Sequence, residues 1–233
     1  MIRPHRVVAV VGTGTDVGKT WVTCRLMEQL VADGFTVSAR KPAQSFDPAQ
    51  NEPTDADLLG RAAGLAPTDV CPAHRWYTVP MAPPMAAEAL GLPPPTLPEL
   101  VRELGFDPVP TTGARSDAPI DVLFVETAGG VRSPHAANPS ADAIDLLNAI
   151  HPDQVLLVAD AGLGTINSVR LTLGVLTPWD VVVFLNRFET GDPLHRANLA
   201  TLENDRRSPV GRVIPVLTEL TDAAVCMAGP PDS

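Results

Sequence analysis

The chain has 233 residues and is poor in aromatic residues, which make up 4% of it with one tyrosine. Hydrophobic residues still reach 45%, so Val, Leu and Ala must do most of the core packing. Positive charge is also scarce: 17 Lys and Arg stand against 27 Asp and Glu, a formal net charge of −10, with a pI near 4.8. That balance excludes a general nucleic-acid or anionic-membrane binder, which needs a basic surface. Any anionic ligand must therefore be held by a few local donors. Cysteine is rare: Cys24, Cys71 and Cys226 lie far apart without metal-ligand spacing and read as reduced thiols of a cytoplasmic protein. No stretch is long and apolar enough to span a membrane. The opening MIRPHRVVAVVG has too short an apolar run for a signal peptide before it breaks into glycines.

What is present alternates between strand and helix patterns. Val7 to Val11 is a short β-branched run ending at Gly12 and reads as a buried strand. Lys19 to Leu30 has helical spacing and Gly34 ends it. Phe35 to Ala39 reads as the second strand. Asp121 to Val125, Gln154 to Ala159 and Asp180 to Leu185 are continuous apolar runs that suit central parallel strands buried on both faces. Helices are expected over Asp55 to Ala63, Ala141 to Ala149, Ile166 to Leu176 and Leu194 to Asp205, with a last short strand at Val213 to Pro215. This order predicts one α/β domain with a mostly parallel central sheet and helices on both faces. The 25 prolines crowd between Pro67 and Pro119. That region cannot be a regular layer of the sheet, and residues 91–119 read as an irregular Pro-rich insertion.

The stretch from Gly12 to Thr20 reads GTGTDVGKT. It follows a strand and opens a helix, the setting of a phosphate-binding loop. Backbone N–H groups and the positive helix terminus would face an anion, Lys19 would hold terminal phosphates, and the Thr20 hydroxyl would bind Mg²⁺. The spacing is one residue longer than G-x-x-x-x-G-K-[ST], because the first glycine is Gly12 and Thr13 stands where the shorter pattern needs glycine. Glu126 ends an apolar run just before Gly129-Gly130, where a carboxylate is costly unless paired or metal-bound. Asp55, after Thr54, reads equally as a helix N-terminal residue or a metal ligand, with Asp57 a competitor for the second role.

The longer loop resembles that of the dethiobiotin synthetase family, G-T-D-T-x-V-G-K-T. Further similarities follow in order: Lys41-Pro42-Ala43-Gln44-Ser45 to K-P-x-x-[ST], Thr54-Asp55-Ala56 to [ST]-D-A, and Tyr77 to Pro83 to Y-x-x-P-x-[SA]-P. Val125 to Gly130 is similar to V-E-G-A-G-G, Gly162 to Asn167 to the L-G-x-I-N turn, and Leu185-Asn186 and Ile214-Pro215 to the base-binding Asn and an I-P segment. The resemblance implies a P-loop fold and an ATP- and Mg²⁺-dependent ligase that closes a ureido ring from 7,8-diaminononanoate and CO₂. It implies catalytic roles for Lys19, Lys41, Thr15 and Ser45, and a metal site of Thr20, Asp55 and Glu126. The nucleotide would be held by Gly14, Thr15, Asp16, Val17, Gly18, Lys19, Thr20 and Trp21, with Asn186, Arg187, Pro215, Val216 and Leu217 near the base. The diamine would meet Ser45, Pro80, Ala82, Gly129, Gly130, Gly164, Thr165 and Asn167, the last three from a partner subunit of a homodimer.

The chain departs from the pattern at Gly14, where Asp is usual, at Thr127, where glycine is usual, and at Arg132, where an apolar residue is usual. A β-branched Thr127 does not easily take positive φ. His74, Arg75, Arg132 and His135 read as ordinary surface or loop residues. The competing readings are a glutamine-dependent synthetase of cobyrinate type, for which the chain is too short, and a nucleotide-dependent switch of the ParA/MinD kind. The switch loops carry an extra lysine that is missing before Lys19. A nucleotide-binding paralogue without turnover is the last alternative.

Overall fold

The first apolar run forms β1 (Arg6–Gly12), and the loop after it opens α1 (Lys19–Ala32). The chain continues through β2 (Val37–Arg40), β3 (Gln44–Ser45), α2 (Asp55–Ala63), α3 (Pro67–Val70), β4 (Trp76–Tyr77), α4 (Pro83–Ala89) and α5 (Leu97–Glu103). Then come β5 (Val122–Glu126), α6 (Ala143–Ile150), β6 (Gln154–Asp160), α7 (Thr165–Leu173), β7 (Val181–Asn186), α8 (Pro193–Glu203) and β8 (Arg212–Pro215). The computed structural model describes residues 3–106, 120–205 and 212–216.

Six parallel strands pair in the order β2-β5-β1-β6-β7-β8. Successive residues of each strand face opposite sides, so β1 feeds two cores. Val7, Ala9 and Val11 pack with Leu146, Leu147 and Ile150 of α6, Val169 of α7 and Leu202 of α8. Val8 and Val10 pack with Val22, Leu26 and Leu30 of α1 and Leu59 of α2. Both faces of the sheet are covered, and Val, Leu and Ala dominate the filling. Burial pushes the Cys24 and Cys71 thiols up to about 12, so both stay protonated and inert at neutral pH.

The expected elements form with small shifts at their ends. Helix α1 runs on to Ala32 before Gly34, at φ 90°, turns the chain. Strand β2 starts at Val37 rather than Phe35. Helix α7 ends at Leu173 rather than Leu176, with Gly174 as its C-cap. The described part of the Pro-rich region gives no strand to the six-stranded sheet but is not wholly irregular. Helix α5 lies inside the 91–119 stretch, with Pro98 in its first turn and a Thr96–Glu99 capping box; a missing N–H costs nothing there. Residues 107–119 lie outside the described residues.

Because all six strands run the same way, their carboxyl ends share one edge. Along that edge stand, in order, Lys41 after β2, Glu126 ending β5, the loop after β1, Asp160 ending β6, Asn186 ending β7 and Pro215 ending β8. Ligands bind at such an edge in open α/β sheets. Phe124 sits at the centre of β5 with no exposed surface. Phe124→Ala is expected to lower unfolding free energy by about 3–5 kcal/mol. Urea melts of the two proteins test this, with a lowered midpoint and an unchanged slope as the expected result.

Candidate active site

The loop from Gly12 to Thr20 is fixed by close contacts. A Cβ on Gly12 would stand 3.0 Å from the Gly14 carbonyl oxygen and 3.0 Å from the Val17 side chain. Gly18 has φ 89° and caps α1 without a side-chain bond, and a Cβ there would run into the Asn186 amide. Asn186 Nδ2 donates to the Val17 carbonyl at 3.0 Å. Arg187 Nη2 donates to the Asp16 carbonyl at 2.8 Å, while its Nη1 pairs with Asp160 Oδ2 at 2.7 Å. The ends of β6 and β7 therefore brace the loop. The glycine turn after β5 closes the other side, with a Gly130 Cβ 3.4 Å from Gly14 Cα and a Gly129 Cβ 3.6 Å from Thr15 Oγ1.

Beside the loop, two carboxylates share one ammonium and one hydroxyl. Lys41 Nζ lies 2.7 Å from Glu126 Oε1 and 2.8 Å from Asp55 Oδ2. Thr20 Oγ1 lies 2.8 Å from the same Glu126 oxygen and 2.9 Å from Asp55 Oδ1. Thr23 Oγ1 reaches Glu126 Oε2 at 3.4 Å. Lys41 is 3% and Glu126 1% exposed. Burial alone would pull the Lys41 ammonium down, but Asp55 and Glu126 outweigh it and hold the group above the usual lysine range. The Lys41 charge in turn holds the Asp55 carboxyl below its usual range. Burial, against the pull of Glu126, lowers the Lys19 ammonium, whose Nζ rests on the Gly14 carbonyl at 3.1 Å. Two cations and two carboxylates thus meet at the loop. Thr20, Asp55 and Glu126 bring together hard oxygens, the donor type that Mg²⁺ takes, and the two carboxylates are bonded here to Lys41.

The sequence profile of the family described as an AAA domain (AAA_26) matches residues 6–223. The chain is 38% identical over 202 residues to the ATP-dependent dethiobiotin synthetase BioD of Streptomyces avermitilis, covering 84% of this chain and 78% of that protein. It is 37% identical over 216 residues to the BioD of an Anaeromyxobacter species, covering 88% of this chain and 87% of that protein. The chain belongs to the dethiobiotin synthetase family. At the level of fold it is also similar to the signal recognition particle receptor FtsY of Elizabethkingia anophelis, with a TM-score of 0.50 and 18% identity. That match covers 91% of this chain, which spans 59% of the receptor chain.

The other described residues that the dethiobiotin synthetase pattern pointed to stand on four parts of the fold: β3 with the segment after β4, the start of α7, the end of β8 and the first turn of α1. Ser45 lies on β3, paired in parallel with β4, and Pro80 and Ala82 follow β4, with Ala82 as the N-cap of α4. Gly164, Thr165 and Asn167 open α7 at the end of β6. Pro215 ends β8 and Val216 is buried behind it; Leu217 lies outside the described residues. Trp21 is exposed on α1, with the Arg25 guanidinium 5.5 Å from its ring centroid.

Two features of the family motif have distinct surroundings in the structure. Asp57 is consumed by the capping box of α2: its carboxylate accepts from the Thr54 N–H at 2.8 Å and hydroxyl at 2.7 Å. Asp55 is the residue that faces Thr20 and Lys41. Thr127 is absent from the positive-φ residues, and its hydroxyl donates to the Val10 carbonyl at 3.1 Å, so the turn accepts a β-branched residue without strain.

Five residues were given no role by the sequence. Thr23 looks like any core helix position, and Asp160 like the end of a strand. Gln44 braces the start of α2 by accepting from the Ala56 N–H at 3.0 Å. His135 and Arg75 are buried rather than surface residues. Arg75 pairs with Glu103 of α5 at 2.8 Å. His135 Nε2 accepts from the Ala128 N–H at 3.1 Å and its Nδ1 lies 2.8 Å from the Ser133 carbonyl, which pins the turn beside Glu126.

Asp57→Ala is expected to remove the reciprocal half of the α2 capping box while Thr54 still caps the helix, and to lower stability by about 1 kcal/mol. Mg²⁺-dependent nucleotide binding, followed by calorimetry, should survive it and fail in Asp55→Asn; the reverse pattern would exchange the two roles. Burial pushes His135 down from 6.5 to about 4. The unfolded chain therefore binds more protons between these values, so the contribution of neutral His135 is complete above the upper value and is lost as pH falls toward the lower one. His135→Gln should flatten this acid limb of the stability curve by roughly one proton; an unchanged slope in chemical melts would contradict it.

Proposed function

We propose that the protein is an ATP-dependent dethiobiotin synthetase acting in biotin biosynthesis. One amine of 7,8-diaminononanoate takes up CO₂ and loses a proton to form a carbamate. A carbamate oxygen attacks the γ-phosphorus of ATP and expels ADP. The second amine then attacks the carbonyl carbon of the mixed anhydride, releasing phosphate and closing the ureido ring. The observation that carries this reading is the convergence of Lys41, Asp55, Glu126 and Thr20 beside the phosphate loop in a member of this family.

Phosphoryl transfer asks a protein mainly for positioning and charge neutralisation. Lys19 and the N–H groups of the loop are assigned to the β and γ phosphates. Thr20, Asp55 and Glu126 would hold Mg²⁺, which screens phosphate charge when bound. Lys41, cationic beside those carboxylates, would hold the carbamate and the phosphoryl group as it moves. Thr15 and Ser45 would donate to the carbamate and the substrate end. Asn186 and Arg187, which brace the loop, sit on the side assigned to the base with Pro215, Val216 and Leu217. A switch-type NTPase would also use Thr20 and a metal-binding carboxylate, but it would have no need of Lys41.

The reading extends to a homodimer in the cytoplasm. The turn opening α7 presents Gly164 in a left-handed conformation, an exposed Asn167 and a Leu163 that is 92% exposed. A second copy would bring this turn to the substrate tail of the first. Among the described residues no helix is long and apolar enough to cross a membrane.

Phosphate release from ATP, Mg²⁺ and bicarbonate, with and without diaminononanoate, tests the proposal. Release that requires the diamine, with a ureido product by mass, is expected. Release independent of the diamine would favour a switch, and no release with intact nucleotide binding would reject this substrate. Lys41→Gln should keep nucleotide binding and abolish ring closure. Glu126→Gln should lower turnover by about 10²-fold or more while circular dichroism stays unchanged; full activity would remove Glu126 from the site.

A further inference from the structure

Two arginines from different strands end on the last turn of α5, the helix within the Pro-rich stretch. Arg75 stands in the turn Ala73–Arg75, directly before β4. Its Nε donates to Glu103 Oε2 and its Nη2 to Glu103 Oε1, both at 2.8 Å. The two side chains of this bidentate pair are only 9% and 17% exposed. Arg75 Nη2 also reaches Glu99 Oε2 at 3.4 Å, and His74 Nε2 lies 3.1 Å from Glu103 Oε1. At the next residue, the Leu104 carbonyl accepts from Arg40 Nε at 3.1 Å. Arg40 ends β2 and directly precedes Lys41. The helix is itself anchored. Leu100 packs with Ala136 and Ala141, and Leu104 joins the core that Val7 and Ala9 of β1 face. The Pro95 carbonyl, just before the helix, accepts from the Ala137 N–H at 2.9 Å.

The end of α5 therefore grips β2 through Arg40 and β4 through Arg75. Strand β4 leads into the segment from Tyr77 to Pro83, and it pairs with β3, which carries Ser45. Strands β3 and β4 have two residues each. A two-stranded ribbon holds its place poorly alone, so its position depends on side-chain anchors. A planar guanidinium fork on a carboxylate fixes direction as well as distance. We propose that Arg75 and Glu103 are positioning residues of the reaction, whose pair holds the diamine-binding segment at a fixed offset from Lys41. This inference rests on the ligase reading above and deepens it. It gives the Pro-rich stretch a task, which is to carry the carboxylate that holds this segment. A displacement of about 1 Å at reacting groups can cost about 100-fold in rate, so such an anchor matters although it touches no substrate.

The test is steady-state kinetics of diamine-dependent phosphate release in two variants, the double Arg75→Met with Glu103→Leu and the single Glu103→Gln. Replacing a buried ion pair by apolar side chains of similar volume is often neutral or stabilising, so the double variant removes the fork without stranding a charge. It should lower kcat/KM for 7,8-diaminononanoate by about 10- to 100-fold, while the Kd for ATP by calorimetry and the urea midpoint stay unchanged. Glu103→Gln keeps the shape of the side chain, removes its charge, and should show a smaller loss of the same kind. The bond from Arg40 to Leu104 is untouched in both. An unchanged kcat/KM for the diamine in either variant would remove the pair from the positioning of substrate. A loss matched by an equal loss of ATP affinity and a lowered midpoint would assign it a merely structural role. Either result overturns the proposal. No diamine-dependent release by the unaltered protein would instead reject the ligase reading, and the positioning role with it.

Discussion

The site is organised around the buried contact between Lys41 and Glu126. A carboxylate that is 1% exposed at the end of a central strand cannot remain charged there without a partner. Stranding one member of such a pair typically costs about 3–5 kcal/mol. The fold supplies partners because β5 lies between β1 and β2 in the sheet. That insertion sets the end of β5 beside the residue that follows β2 and beside the helix that follows β1. Lys41, Glu126 and Thr20 meet through strand order rather than through proximity in sequence.

The same edge changes character along its length. On the β2 side stand Lys41, Asp55 and Glu126 in one cluster. On the β7 and β8 side stand the neutral Asn186 and Pro215, next to the Arg187–Asp160 ion pair. Between them the loop is held rigid from both flanks. Asn186 and the Arg187–Asp160 pair fix Val17 and Asp16, and the glycine turn packs on Gly14 and Thr15. A phosphate cradle gains from such bracing because its donors need not reorganise when the charge arrives. His135, neutral and buried, extends the bracing to the Ala128 N–H.

Local patterns made much of this legible in the sequence. The helix from Asp55 to Ala63 forms over the expected residues, and the apolar runs become the central strands. Two of the loop glycines could be read because they answer a steric demand: Gly12 has no space for a Cβ and Gly18 needs left-handed φ, whereas Gly14 has open space. Non-local facts were not legible. Nothing in the order of the runs said that β5 would insert between β1 and β2. The choice between Asp55 and Asp57 depends on which carboxylate closes the capping box. Thr127 looked like a conflict only because its hydroxyl partner, Val10, is distant in sequence. Arg75 and His135 are buried by pairings with Glu103 and with the Ala128 and Ser133 backbone that no spacing rule anticipates.

The most direct measurement is the NMR titration of the Lys41 ε-carbon in the nucleotide-free protein. Held by Asp55 and Glu126, the ammonium should remain charged as pH passes through 10.5, the ordinary lysine value, and the Glu126→Gln substitution should bring its titration down. Titration at or below the ordinary value in the unaltered protein would contradict the ion-paired centre.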